Sequence, residues 1–254
     1  MPLGRQNGGQ MAEIRQCENY SDTKENRIIG RADNCRIVFQ GENAVLTIKE
    51  GFRCSKDATI RLGSNCNVEI GENVELSGGT WNFYDDSTCT IGGNSRFRDG
   101  GFLNVAPQSA VSIGRGFSIE HFYIIIALPH TQISIGEDCM VSRFVTIQSN
   151  DGHDIFDVNT GKNINGSEEI ARTRKVIVGD HVWVGQDSML LYGTEIGSGS
   201  IVGAKSLVKG RFPNNCAIGG SPARLLKKDV AWNRGYGDED ISAIDERYVR
   251  PTAE

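Results

Sequence analysis

The chain has 254 residues and a formal net charge of −5, from 27 basic and 32 acidic side chains. That length suits one large domain or two small ones. The mildly acidic balance excludes a general nucleic-acid binder, which carries a basic excess or a concentrated basic stripe. Glycine is abundant at 31 residues and proline scarce at 6, and many glycines without a collagen period point to tight turns rather than disorder.

The chain starts MPLGRQNGGQMAEIRQ, a polar stretch without the apolar core of a secretory signal. Residues 1–26 show no periodicity and are expected to form a flexible arm. The longest apolar run, Phe122 to Leu128, is too short to cross a bilayer, so a soluble, cytoplasmic protein without a membrane span is expected. The seven cysteines, Cys17, Cys35, Cys54, Cys66, Cys89, Cys139 and Cys216, are odd in number and contain no C-x-x-C pair. Five fall inside strand-like segments. They read as small buried apolar residues in a reducing compartment, since the spacing suits neither zinc nor disulfides.

From residue 27 onward the sequence repeats itself. The segments TIKEGFRC, EIGENVEL, TIGGNSRF, SIGRGFSI and SIGEDCMV recur, with key residues Ile48, Ile70, Ile91, Ile113 and Ile135 at steps of 22, 21, 22 and 22. Residues 149–175 interrupt the pattern. After them, from Val178, the period tightens to six: VGDHVW, VGQDSM, LLYGTE, IGSGSI, VGAKSL, VKGRFP. The openers are Val178, Val184, Leu190, Ile196, Val202 and Val208. Two positions before each lie Val176, Val182, Ser188, Thr194, Ser200 and Ser206. In a strand, residues two apart share a face. Each block therefore points two side chains inward and then turns, and three blocks wind one coil. Stacked coils pair as parallel strands about 4.8 Å apart. The prediction is an all-β parallel β-helix over 27–222; a β-sandwich has no reason to keep register over so many segments. Insertions in a solenoid gather on one face, often the binding face. Residues 223–254, with ARLLKKDVAWNR and DEDISAIDERYVR, are charged and helix-compatible, and are expected to form a helical cap over the open end of the last coil.

The candidate chemistry lies in and after the insertion, SNDGHDIFDVNTGKNINGSEEIARTRK. His153, flanked by Asp151, Asp154 and Asp157, is either a general base or a bland surface histidine; its ordinary pKa lies near physiological pH. Trp183 sits between the inward Val182 and Val184 and must point outward, toward a ligand, the insertion or a neighbouring subunit. His121, His130 and His181 fall in separate segments without ligand spacing, so no metal is expected. Serine-nucleophile, Walker and dinucleotide fingerprints are absent. Arg211, Arg224, Lys227 and Lys228 form either a solvated face or a landing site for phosphates.

These elements together resemble the hexapeptide-repeat acyltransferases. The stretch 176–228, with V-W-V-G, I-G-S-G-S-I-V-G-A-K-S-L-V and G-G-S-P-A-R, carries the likeness, and the loop S-N-D-G-H-D-I-F-D is similar to the family's catalytic-histidine loop. The chain resembles in particular bacterial O-acetyltransferases of capsular and other surface polysaccharides. The resemblance implies a left-handed β-helix, whereas ordinary parallel crossovers are right-handed, and a homotrimer with sites between subunits. It implies acetyl-CoA as acyl donor, no metal, and a saccharide hydroxyl as acceptor. His153 matches the catalytic base and Trp183 the family tryptophan beside acceptor and pantetheine, with Asp151 as the group orienting the imidazole. Ala204, Lys209, Arg211 and Arg224, with Trp183, are the expected CoA contacts; this chain reads Lys209-Gly210-Arg211 where the family has T-K-D. Arg143, Asn150 and Asp151 are the candidate acceptor contacts. N-acetylation of a nucleotide-linked amino sugar, a zinc carbonic anhydrase on the same fold and a β-solenoid scaffold remain as alternatives.

Overall fold

Strand alternation builds the architecture. In Thr88–Ile91, Cys89 and Ile91 are buried while Thr88 and Thr90 face solvent, and Ala110–Ile113, Gln132–Ile135 and Lys175–Val178 repeat the pattern. These strands stack in parallel register: Cys89, Val111, Ile133 and Val176 form one inward column, and Ile91, Ile113, Ile135 and Val178 the next. One coil runs through Thr88–Ile91, Arg96–Phe97 and Phe102–Val105, which are the first, second and third sides of a three-sided parallel β-helix. The first and third sides join into a single 15-stranded sheet, and the second side stands apart as a 9-stranded one. All six hexad openers are buried, as the period predicts. The computed structural model describes residues 13–55, 57–165, 174–235 and 240–253. Among them no helix is long and apolar enough to cross a membrane.

The two periods differ in one place. The sequence Ile91, Phe97, Leu103, Ile113 marks one wide coil, and Val178, Val184, Leu190, Ile196 one narrow coil. The additional residues of the wide coils lie between the third side and the first. This extra girth holds Trp81, Phe97, Phe117 and Tyr123, all fully buried. Trp81 packs edge-on against Phe97 at 4.8 Å and donates its Nε1–H to Tyr123 Oη at 3.1 Å. The narrow coils place hydroxyls inside at positions two before the openers. Ser188, Thr194 and Ser200 donate to the carbonyls of Gly203, Val208 and Pro213 at 2.9–3.0 Å, which offsets the cost of burying them. Cys35, Cys66, Cys89, Cys139 and Cys216 are buried and free. Burial pushes the thiols of Cys66 and Cys139 up to about 12, the behaviour of packing residues rather than nucleophiles.

Six coils turn from their first to their second side through a glycine, at Gly71, Gly92, Gly114, Gly136, Gly179 and Gly197, followed two residues later by a left-handed residue, as in Gly136-Glu137-Asp138 (Asp138 φ 53°). The glycine is required by contact between coils. A Cβ on Gly136 would lie 2.3 Å from Asp180 Oδ1 and 2.6 Å from Asp180 N.

Both ends depart from the sequence-based expectation. Part of the supposed flexible arm is a strand: Glu13–Ser21 pairs antiparallel with Arg27–Phe39, and Tyr20 stacks on Phe39 at 5.8 Å. Two register shifts, at Ile14/Gln16 and Glu18/Tyr20, erase the alternation that would have announced it. Residues 1–12 of the arm lie outside the described residues. The expected C-terminal helix over ARLLKK is instead the strand Ala223–Lys227, antiparallel to Ala217–Gly220. The open edge of the second side offers unpaired N–H and C=O groups, and this pairing satisfies them. Only two short 3₁₀ turns, Ile241–Ala243 and Glu246–Tyr248, are helical in the described part of the tail.

The tail is fastened to the first-to-second corner. The His181 ring lies between Trp232 (4.1 Å) and Tyr248 (4.5 Å), nearly parallel to both. Its Nδ1 is 2.7 Å from Asp138 Oδ2, and its Nε2 is 2.9 Å from the Trp232 carbonyl. Arg234 donates to Asp138 Oδ1, Ser118 Oγ and the carbonyls of Gly116 and Cys139. Burial alone would raise the Asp138 carboxyl, but His181 and Arg234 outweigh it and hold the carboxyl below the usual carboxylate range.

Two outcomes follow for stability. Gly136→Ala should destabilise the coil by about 1–3 kcal/mol through overpacking, read as a lowered midpoint in chemical denaturation. Asp138→Asn should be less stable than the native protein at neutral pH. Because the folded carboxyl titrates below its unfolded value, its contribution is complete above pH ~4 and is lost as pH falls through the folded value. The gap between the two proteins should therefore close in acid. A gap that widens below pH 4 would contradict the pairing.

Candidate active site

The insertion leaves the column at the corner between the third and first sides. Other coils cross that corner in a few residues, 84–87, 106–109 and 128–131. Here the chain departs after Thr146–Gln148 and returns at Lys175–Val178, which pairs directly with Gln132–Ile135. The rungs on either side are thus in register, and the insertion stands on a rigid base. Residues 166–173 lie outside the described residues.

His153 projects from this insertion into an open cavity of about 310 Å³, lined also by Pro129, His130, Asn150, Gly152, Asp154 and Asn165. The His153 side chain is exposed, and its imidazole makes no hydrogen bond among the described residues. The three neighbouring carboxylates are differently occupied. Asp157 Oδ1 accepts from the N–H of Asn159 and from Thr160 N and Oγ1. These bonds form a local turn and lower its carboxyl below the usual range. Asp154 lines the cavity and makes no bond among the described residues. Asp151, expected on the imidazole, is not placed there: its Oδ2 accepts from Arg174 Nη1 at 3.1 Å and Asn165 Nδ2 at 3.2 Å. A nearly buried guanidinium has the stronger claim on a carboxylate. Arg174 also donates to Asn150 Oδ1.

Trp183 points outward from the second side, between Met140 and Ile201 of the adjacent coils. It is 37% exposed and 6.2 Å from the Trp232 ring. It does not line the His153 cavity. The other expected ligand contacts are also spread around the column. Ala204 sits on the corner between the second and third sides. So does Arg143, which donates to Gln186 Oε1 at 3.1 Å. Lys209 and Arg211 lie on Leu207–Phe212, where the Lys209 ammonium covers the Tyr192 ring at 3.9 Å and Arg211 pairs with Glu195 at 3.1 Å. Arg224 is exposed on Ala223–Lys227. One chain therefore brings Asn150, Asp151 and His153 together and leaves Trp183, Arg143, Ala204 and Arg224 elsewhere, while Lys209 reaches the base of the insertion through the Tyr192 ring that Arg174 also covers.

Sequence reasoning missed Asn165, which lines the cavity with His153, and Arg174 and Tyr192, which join it through Asp151, and it weighed His130 only as a metal ligand. Arg174 had a readable signal. It occupies the position held by Ser87, Ser109 and Thr131 in preceding coils, and all of these are buried. A cation at a position of small hydroxyls demands a partner. His181, one of the histidines weighed for a metal, is committed to Asp138 and Trp232. No group of three or more His, Cys, Asp or Glu suited to a metal is found among the described residues.

Comparison with known proteins matches the model "Bacterial transferase hexapeptide (six repeats)" over residues 175–210. WbbJ of Escherichia coli K12, assigned by name alone to O-acetyl transfer in lipopolysaccharide biosynthesis, is 34% identical over 199 residues, covering 77% of this chain and 80% of WbbJ. The polysialic acid O-acetyltransferase of Escherichia coli O1:K1 is 30% identical over 149 residues; the match covers 59% of this chain but only 46% of that relative. Among solved structures, the polySia-specific acetyltransferase NeuO superposes with a TM-score of 0.69 at 28% identity, covering 84% of this chain and 95% of NeuO. With the three-sided column, the six-residue period and this span of similarity, the chain belongs to the hexapeptide-repeat acyltransferases of left-handed β-helix fold, among their O-acetyltransferases.

Proposed function

We propose that the protein transfers the acetyl group of acetyl-CoA to a hydroxyl of a bacterial surface saccharide, such as capsule or lipopolysaccharide, with His153 as general base. The observation that carries this reading is the exposed imidazole, without a hydrogen bond among the described residues, in an open cavity at the insertion. The similarity to WbbJ and to the polysialic acid O-acetyltransferases supports the acceptor class.

His153 takes the proton of the acceptor hydroxyl as that oxygen attacks the thioester carbonyl. The tetrahedral adduct collapses, the C–S bond breaks, and the departing thiolate takes the proton from His153. The products are an acetyl ester and CoA, and no acyl-enzyme or metal is needed. The outer cations Lys209, Arg211 and Arg224 suit the phosphates of CoA, and the exposed face of Trp183 suits its pantetheine arm. Trp183 on the second side and Arg224 on Ala223–Lys227 stand apart from the His153 insertion, so the complete site needs His153 of one copy and Trp183 of another. A homotrimer working in the cytoplasm, where acetyl-CoA is made, meets that need.

His153→Ala should lower turnover by about 10²–10⁴-fold with unchanged thermal unfolding, because the insertion lies outside the column; near-normal acetyl transfer from labelled acetyl-CoA would remove His153 from this role. Trp183→Ala should raise KM for acetyl-CoA or acceptor, and unaltered kinetics would make the indole a packing partner of Trp232 only.

A further inference from the structure

The insertion holds His153 by its backbone. Asn165 Nδ2 donates to the His153 carbonyl at 2.7 Å and to Asp151 Oδ2 at 3.2 Å, and Asn165 Oδ1 accepts the Ile155 N–H at 2.6 Å. One amide thus closes residues 151–155 into a fixed loop. Asp151 is held in turn by Arg174 at 3.1 Å. The Arg174 side chain is only 7% exposed, and its guanidinium lies over the Tyr192 ring at 4.5 Å. Tyr192 belongs to Met189–Ile196 of the next coil, and Lys209 also packs on its ring at 3.9 Å.

A guanidinium removed from water needs a carboxylate partner, and breaking such a pair is costly because a buried charge is left behind. Charge-assisted bonds of this kind are also short and directional. Asp151 is therefore not free to swing toward substrate, and the rigid column is linked without a gap to the loop: Tyr192 to Arg174, Arg174 to Asp151, Asp151 to Asn165, and Asn165 to the backbone of His153.

We propose that Arg174, Asp151 and Asn165 are positioning residues that transmit the rigidity of the coil to the His153 loop and set where the imidazole stands. This rests on the reading of His153 as the base. Asp151 then serves His153 through Asn165 and the main chain instead of through the ring nitrogen. Displacing a reacting group by about 1 Å can cost on the order of 100-fold in rate, so the relay should govern turnover rather than donor affinity.

The test uses the full chain, labelled acetyl-CoA and a saccharide acceptor. Asn165→Ala and Asp151→Asn are each made alone and in a His153→Ala background, with melting temperature recorded for every variant. Asp151→Asn keeps the side-chain shape and guards against loss of the loop fold. Each single variant should lose about 10–100-fold in kcat, with KM for acetyl-CoA changed by less than about 2-fold. In the His153→Ala background neither should cost more, since no imidazole remains to be placed. Unchanged kcat in both single variants, or losses that multiply with that of His153→Ala, would overturn the relay while leaving His153 as the base. A change confined to the KM of the acceptor would make Asp151 an acceptor contact and overturn its place in the relay. Near-normal turnover in His153→Ala would overturn the base, and the relay with it.

Discussion

Close stacking of one coil on the next is the constraint on which the rest depends. The strands lie so near at the first corner that Gly136 has no room for a Cβ against Asp180, and the residue two further on must turn left-handed. Such contacts fix the coil register, and register fixes every column: aliphatic pairs inside, the outward Trp183 between Met140 and Ile201, and the ring of Tyr192 beneath Arg174. A one-residue slip would reverse inside and outside along a strand, so the outer wall is as tightly determined as the core.

The insertion exploits that determinacy. Its two ends are strands that each pair with neighbouring coils, and its described part is held by polar bonds. Asn165, Asp151 and Arg174 do for the loop what backbone ladders do for the coil. Asp157 adds a turn of its own, and Asp154 is left facing the cavity. Four neighbouring side chains, three of them carboxylates of identical chemistry, thus acquire distinct tasks through their partners, which is a property of placement rather than of residue type.

The column was legible because its period is enforced by packing. Val178, Val184, Leu190, Ile196, Val202 and Val208 open their hexads for the same reason that they are buried, and Trp183 faces outward by simple alternation. His153 was singled out by its polar loop beside a rigid repeat and by family likeness, and it stands exposed in an open cavity. Other features depend on partners distant in sequence. Glu13–Ser21 hides its alternation behind two register shifts. The segment ARLLKK has the composition of a helix, but an unsatisfied sheet edge takes it as a strand, so edge pairing overrides propensity. The occupancy of Asp151 could not be read from its nearness to His153, because Arg174 and Asn165, 23 and 14 residues further on, reach it first. The scatter of Trp183, Ala204 and Arg224 around the column is likewise a matter of which side each hexad occupies.

The direct pairing of Gln132–Ile135 with Lys175–Val178 across the excursion has an evolutionary corollary. Since no strand pairing depends on what lies between, the excursion can be lengthened at little energetic expense provided that the Arg174–Asp151 pair is kept; doubling a flexible loop costs only about 0.6 kcal/mol in closure entropy. The content of the excursion and the integrity of the scaffold become separately heritable traits, so the loop that presents His153 can change while the spiral beneath it stays intact.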